Sequence, residues 1–373
     1  MKDFPFKFWI ILLFIVSFLF IVLIVFFNYK VDPFQFYHKS NKAGFSSNDR
    51  FQNAGLIRSY DYDTVVIGSS ITKFLTPDRL KRKLNVKAIR LKINGTSPSE
   101  QNIILNTVLE HKKIKLVIMS IDDFGLKKKG KLSPKFPLYL YDKKITNDLK
   151  YLISSNTFIL SCGIEFLGYK FKEETPYRYG KEFVCKHEKT RFKKVNKEKN
   201  QNKKNLKSKL KQKKNEKNLK EIKEVMRTNL EKYYLANAKA HPEIEFYFFF
   251  PPYASQSYLD YKQEKLEDYI SEWFNIKRYL LKRIKELNLK NVKVFDFQDY
   301  FELTDQVLIH YKDFVHYSPF IAEQMLDKIA KNKMLLTESN IEQRINNFTK
   351  HINNLKDKDP CNLKDFYSKI ENK

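Results

Sequence analysis

Three short segments carry residues whose types and spacing can do acyl-transfer chemistry. The first is Asp313-Phe314-Val315-His316. An Asp and a His three residues apart on a loop can set the carboxylate against one imidazole nitrogen. The other nitrogen then faces outward as a general base, the orienting logic of a Ser-His-Asp triad. The second is Gly68-Ser69-Ser70-Ile71, whose Ser70 is a candidate nucleophile that needs such a base. The third is Ile93-Asn94-Gly95-Thr96. There the Gly95 N–H, and the Asn94 side chain, could join the Ser70 N–H in holding a negative oxygen. Each segment alone is a weak signal, since Gly-Ser-Ser and Asn-Gly also occur as plain turns. His310 competes with His316, but no acid stands in the same relation to it. The remaining histidines read as surface residues.

The flanking pattern predicts the elements that must position these side chains. Thr64–Ile67, Lys87–Ile93, Lys115–Ile121, Ile244–Phe250 and Val292–Phe297 read as five short apolar strands. Helical stretches separate them. Thr76-Pro77-Asp78 opens one helix, and Ser97-Pro98-Ser99-Glu100 is a capping-box pattern for another, running through about His111. A long amphipathic stretch covers about Leu259 to Leu287, and Ser318-Pro319 opens a last helix to about Lys331. Apolar strands alternating with helices predict an α/β fold, a three-layer α/β/α sandwich with a parallel five-stranded sheet in flavodoxin-like order. In such sheets ligands bind at the carboxyl ends of the strands, where Ser70, Gly95 and the Asp313–His316 loop would meet.

A Ser after strand one, a Gly after strand two and an Asp-x-x-His before the final helix, in that order, resemble the SGNH (GDSL-like) hydrolase superfamily. The likeness covers roughly Asp61 to Lys331. It implies Ser70 as nucleophile, Gly95 as second oxyanion donor, and Asp313 and His316 as acid and base. The family's Gly-Asp-Ser reads Gly68-Ser69-Ser70 here. The family's third block normally supplies an Asn to the oxyanion hole, whereas this chain has Ser120-Ile121-Asp122-Asp123-Phe124. An ionised Asp cannot donate a hydrogen bond, and losing one such donor typically costs about 10²–10³ in rate. The arrangement also resembles membrane-anchored SGNH-like proteins of cell-envelope modification.

Phe8 to Phe27 are 20 consecutive residues without a charge. As a helix they span about 30 Å, the thickness of a bilayer core. They are apolar all round, and no small-residue cleavage site follows, so an uncleaved anchor is expected. The organisation expected is an anchor at 1–27, a linker at 28–60, the α/β domain at 61–336 and a polar tail at 337–373. A short tail ahead of the anchor favours a single-pass protein of the inner (cytoplasmic) membrane with its catalytic domain extracytoplasmic, in the periplasm.

The chain has 373 residues and a formal net charge of +27. That charge first points to nucleic acid or a membrane surface. Its distribution argues otherwise: residues 186–223 hold 17 Lys+Arg and 4 Glu, a net +13 within 38 residues. With no apolar face, this stretch reads as a solvated insertion or a basic arm for an anionic lipid or glycan surface. No nucleic-acid partner is expected. Cys162, Cys185 and Cys361 allow one disulfide and one free thiol, or none. No metal-ligand spacing and no Walker or dinucleotide glycine pattern is present, so no cofactor is expected. The leading expectation is a serine esterase or O-acyltransferase acting on envelope glycans or lipid-linked polymers, with a membrane acyltransferase as partner. The alternative is a catalytically weak SGNH-like binding or scaffold subunit.

Overall fold

The structure is a computed structural model, and it describes residues 6–39, 44–171, 178–179, 185–186, 220–258 and 263–355. The chain forms two compact units. One comprises 1–61, 103–112 and 133–175; the other comprises 62–102, 113–132 and 176–373.

The second unit contains the sheet. Its strands are β1 (Thr64–Gly68), β2 (Ala88–Lys92), β3 (Leu116–Ser120), β4 (Glu245–Phe250) and β5 (Val292–Asp296). All pairings are parallel and the order is β2-β1-β3-β4-β5. This is the flavodoxin-like order that the alternation predicts, with the switch between β1 and β3. The central strands β1 and β3 are buried at every position, as strands covered on both faces must be.

Side-chain alternation separates the two faces. Val66, Ile118, Phe249 and Phe295 point to one core, shared with Leu80 of α3 (Pro77–Leu84) and with Ile321, Met325 and Ile329 of a later helix, Pro319–Ala330. Phe248 and Phe250 point the other way. They meet Tyr234, from a helical run over 220–240, and Trp273 of the helix Gln263–Glu286. Lys277 of that same helix is buried with its Nζ 2.6 Å from Asp296. Deleting one partner of such a buried pair typically costs about 3–5 kcal/mol.

The 337–373 segment, expected as a polar tail, is part of the core where it is described. Its helix Ile341–Leu355 buries Phe348, Ile352 and Leu355 against the sheet-covering cluster. Average polarity hid a narrow apolar stripe at helical spacing.

In the first unit, α1 (Phe6–Val31) carries the apolar run, whose side chains are left largely exposed. It is long and apolar enough to cross a membrane. The 28–60 segment, expected as a linker, is ordered by a polar turn. Asp32 sits at φ 45° and accepts N–H bonds from Phe36, Tyr37 and His38, plus the Tyr151 hydroxyl at 2.9 Å. Helix α2 (Asp49–Ser59) follows, and its Gly55 lets the Phe34 carbonyl approach to where a Cβ would stand, 2.1 Å away. One buried carboxylate and one glycine contact have no compositional signature, so the segment reads as linker from sequence.

Cys185 is disulfide-bonded and buried, and Cys162 is a free thiol. Cys361, and residues 187–219 of the Lys-rich insertion, lie outside the described residues.

Candidate active site

Ser70 stands just past the carboxyl end of β1 because that strand must stop sharply. A Cβ on Gly68 would meet the Ser120 Oγ at 2.4 Å and the Thr72 methyl at 2.5 Å. Glycine therefore lets the ends of β1 and β3 approach. The chain then turns into a short 3₁₀ helix, Ser70–Phe74, with Ser69 as its cap. The Thr72 N–H and hydroxyl both donate to the Ser69 carbonyl. This lifts Ser70 above the sheet edge.

His316 comes from a loop fixed at both ends. Tyr311 and Tyr317 pair across it as an isolated antiparallel bridge, and the Lys312 N–H donates to the His316 carbonyl. The Ala254 N–H holds the Phe314 carbonyl at 3.0 Å, and the Tyr311 hydroxyl donates to the Pro252 carbonyl. The segment after β4 thus clamps the loop over the sheet edge.

The loop brings His316 Nε2 to 2.9 Å from Ser70 Oγ, across 246 residues of sequence. His316 Nδ1 lies 2.8 Å from Asp313 Oδ2 and 3.0 Å from Oδ1. The Val315 and His316 N–H groups also donate to Asp313 Oδ1. Burial of Asp313 opposes its ionisation. The imidazole and the two backbone donors outweigh burial and lower its pKa to about 2. Asp313 is therefore an acceptor near neutral pH, which places the proton on His316 Nδ1. Nε2 is left as the acceptor of the Ser70 hydroxyl, the tautomer that general-base chemistry requires.

Gly95 occupies a tight turn at φ +63°, closed by the Thr96 N–H on the Ile93 carbonyl. No atom lies within 4 Å of where its Cβ would be, so the backbone is open to an incoming group. Gly95 lines the same cavity as Ser70 and His316, of about 330 Å³. Asn94 does not: its side chain is exposed outside the lining. The cavity brings together Ser70, Gly95, Asp313 and His316 and leaves Asn94 aside. His310 is also apart from it, hydrogen-bonded to Ser318 and stacked on Phe320.

Three lining residues escaped sequence reasoning. Lys128, exposed at the rim, donates its ammonium to the Gly95 carbonyl and so ties down the Gly95 turn. Phe124 and Tyr253 form an edge-to-face pair at 6.4 Å on one wall. The tie from Lys128 bridges 33 residues and leaves no local pattern to find.

Asp122, the residue in the third block, also lines the cavity. It is buried and caps the helical turn Asp123–Leu126, accepting the Gly125 N–H at 2.6 Å. Burial raises its pKa, against the opposing pull of the Gly125 N–H and the Ser69 hydroxyl. Burial favours the protonated form, which can donate as well as accept a hydrogen bond.

No protein-family model matches this chain, and no curated protein matches it. Among solved structures, the chain is similar to one described as a platelet activating factor from Streptococcus pneumonia. The two are 14% identical, with 76% of this chain and 90% of that chain covered and a TM-score of 0.36. A likeness of that degree carries no weight for the site, whose chemistry follows from its own geometry.

Proposed function

We propose that this chain is a membrane-anchored, SGNH-like serine esterase or O-acyltransferase acting through an acyl-Ser70 intermediate. The observation that supports it most is the continuous chain Ser70–His316–Asp313, with every link between 2.8 and 3.0 Å. Ser70 Oγ attacks an ester carbonyl as its proton passes to His316 Nε2. The tetrahedral oxygen is held by the Ser70 and Gly95 N–H groups. The intermediate collapses, the ester C–O bond breaks, and His316 returns the proton to the leaving alkoxide. Water or a sugar hydroxyl then attacks the acyl carbon as its proton passes to His316; the acyl–Oγ bond breaks and His316 returns that proton to Ser70 Oγ.

The reading places the second unit outside the cytoplasm. The Cys185 disulfide fits an oxidising compartment, and the apolar α1 fits an anchor in the inner membrane. Envelope glycans or lipid-linked polymers are then the accessible substrates, and a membrane acyltransferase is the fitting acyl donor. Lys128 at the rim favours an anionic acceptor. The test is a fluorophosphonate probe on the full chain, followed by peptide mapping. The expected adduct is on Ser70; an unlabelled chain, or an adduct elsewhere, overturns the reading.

One observation favours a second reading, a weakly catalytic binding subunit: an acid stands where an oxyanion donor is needed. The two readings separate on Asp122→Asn. In an enzyme, ionised Asp122 repels the tetrahedral oxygen, so the wild-type rate falls as pH rises through the elevated Asp122 pKa. The amide keeps the Gly125 cap and donates at all pH values. The variant is expected to gain about 10- to 100-fold in ester hydrolysis on the alkaline side and to lose that falling limb. A rate–pH profile identical to wild type would place Asp122 out of reach of the reacting oxygen. A double variant, Ser70→Ala with His316→Ala, that leaves envelope modification intact would favour the binding subunit.

A further inference from the structure

Within the first unit, helices α4 (Ile145–Leu152) and α5 (Ser155–Leu167) form a hairpin against the C-terminal end of α1. The Asn28 amide donates to the Leu152 carbonyl at 2.7 Å. The Phe27 ring lies 5.9 Å from that of Phe158 and 5.6 Å from that of Phe166. Val31 and Ile164 pack together just beyond. One face of α5 is buried through Thr157, Ser161 and Ile164. The other is apolar and open: Ile159 and Phe166, two turns apart, with Leu167 and, at the hairpin bend, Ile153. Phe166 is 72% exposed and Leu167 83% exposed. Such side chains are out of place against water in a contiguous row.

We propose that α5 is a second membrane-contacting element, lying in the interfacial layer of the bilayer with Ile153, Ile159, Phe166 and Leu167 in the acyl boundary. The occupant follows from continuity. The open face of α5 adjoins α1 through the Phe166 stack on the half-buried Phe27, beside the exposed Phe26 where the apolar run ends. The flanking chemistry also fits lipid. Tyr29 and Tyr169 are half-exposed at this level, and Lys30, Lys150 and Lys170 accompany them. Amphipathic aromatic rings and snorkelling lysines mark the headgroup region. At the other end of α1, Trp9 stands 20 residues before Tyr29, about 30 Å away along the helix. An apolar helix face packed beside a span at that level rests in the plane of the interface. This inference is independent of the chemistry assigned to Ser70.

The test uses the full chain in nanodiscs of phosphatidylethanolamine and phosphatidylglycerol, one copy per disc. A fluorescent bimane is placed at Leu167→Cys in a Cys162→Ser background. The same label at Lys333→Cys serves as the water-exposed reference. Doxyl-labelled lipid is expected to quench the label at 167 at least about twofold more than at 333, while aqueous iodide quenches it less. Iodide quenching equal to that at 333, with no doxyl quenching, leaves the face in water and overturns the proposal. Protection from iodide without doxyl quenching means that protein covers the face, and overturns it equally.

Discussion

Replacing Ser70 with alanine is expected to abolish fluorophosphonate labelling and to lower ester hydrolysis by on the order of 10⁵–10⁶. The Ser70 hydroxyl is held against His316 Nε2 at 2.9 Å, the position a nucleophile needs. Ser69 cannot substitute. Its Oγ is buried, serves as the cap for the Ile71 N–H and donates to Asp122. Ser70 is only half-buried, and alanine fits its 3₁₀ start, so thermal unfolding should be unchanged within about 1 kcal/mol. Stability and turnover measured on one preparation separate the two effects. Equal labelling of both proteins removes Ser70 from the chemistry.

The second large effect belongs to Asp313→Asn. The amide keeps an oxygen for the Val315 and His316 N–H groups and turns its NH₂ toward His316 Nδ1. That nitrogen must then accept, the proton moves to Nε2, and the ring can no longer take the Ser70 proton. A loss of about 10⁴ in kcat is expected, with little change in KM. The variant should also alter acid stability. The folded pKa of Asp313 is about 2, below its unfolded value of about 3.9, so its ionised form stabilises the fold above that unfolded pKa. That contribution, roughly 2–3 kcal/mol, disappears as pH falls from about 4 toward 2. Urea midpoints measured at pH 6 and pH 3 should therefore converge in the variant relative to wild type. An unaltered kcat would show that Asp313 holds the loop without setting the His316 tautomer.

Much of the fold was legible because its signals are local. The five apolar runs became β1 to β5 within about a residue at each end. The capping box at Ser97 and Glu100 is realised reciprocally, with both N–H to side-chain bonds at 3.4 Å. The Asp313–His316 pair was legible for the same reason: three residues on a loop bring acid and imidazole together whatever the rest of the chain does. By contrast, the linker at 28–60 and the tail at 337–373 were misjudged from composition. A single buried carboxylate at Asp32, and a stripe of Phe348, Ile352 and Leu355, anchor the described parts of these segments. Neither changes the average polarity of its neighbourhood.

The sequence by itself determined the alternation of strands and helices, the apolar span of α1 and the residue types from which a triad can be built. Periodicity and caps act within a few residues, so they survive in one dimension. Only the tertiary structure decided that Ser70 and His316 meet across 246 residues, because that depends on strand order and on the clamp from Pro252 and Ala254. It also decided that Asn94 stands outside the cavity lining, that Lys128 ties the Gly95 turn, and that Asp122 is buried, which raises its pKa. The charge state of a carboxyl is set by the solvent that packing removes from it, and burial of that kind is a property of the folded chain rather than of any segment.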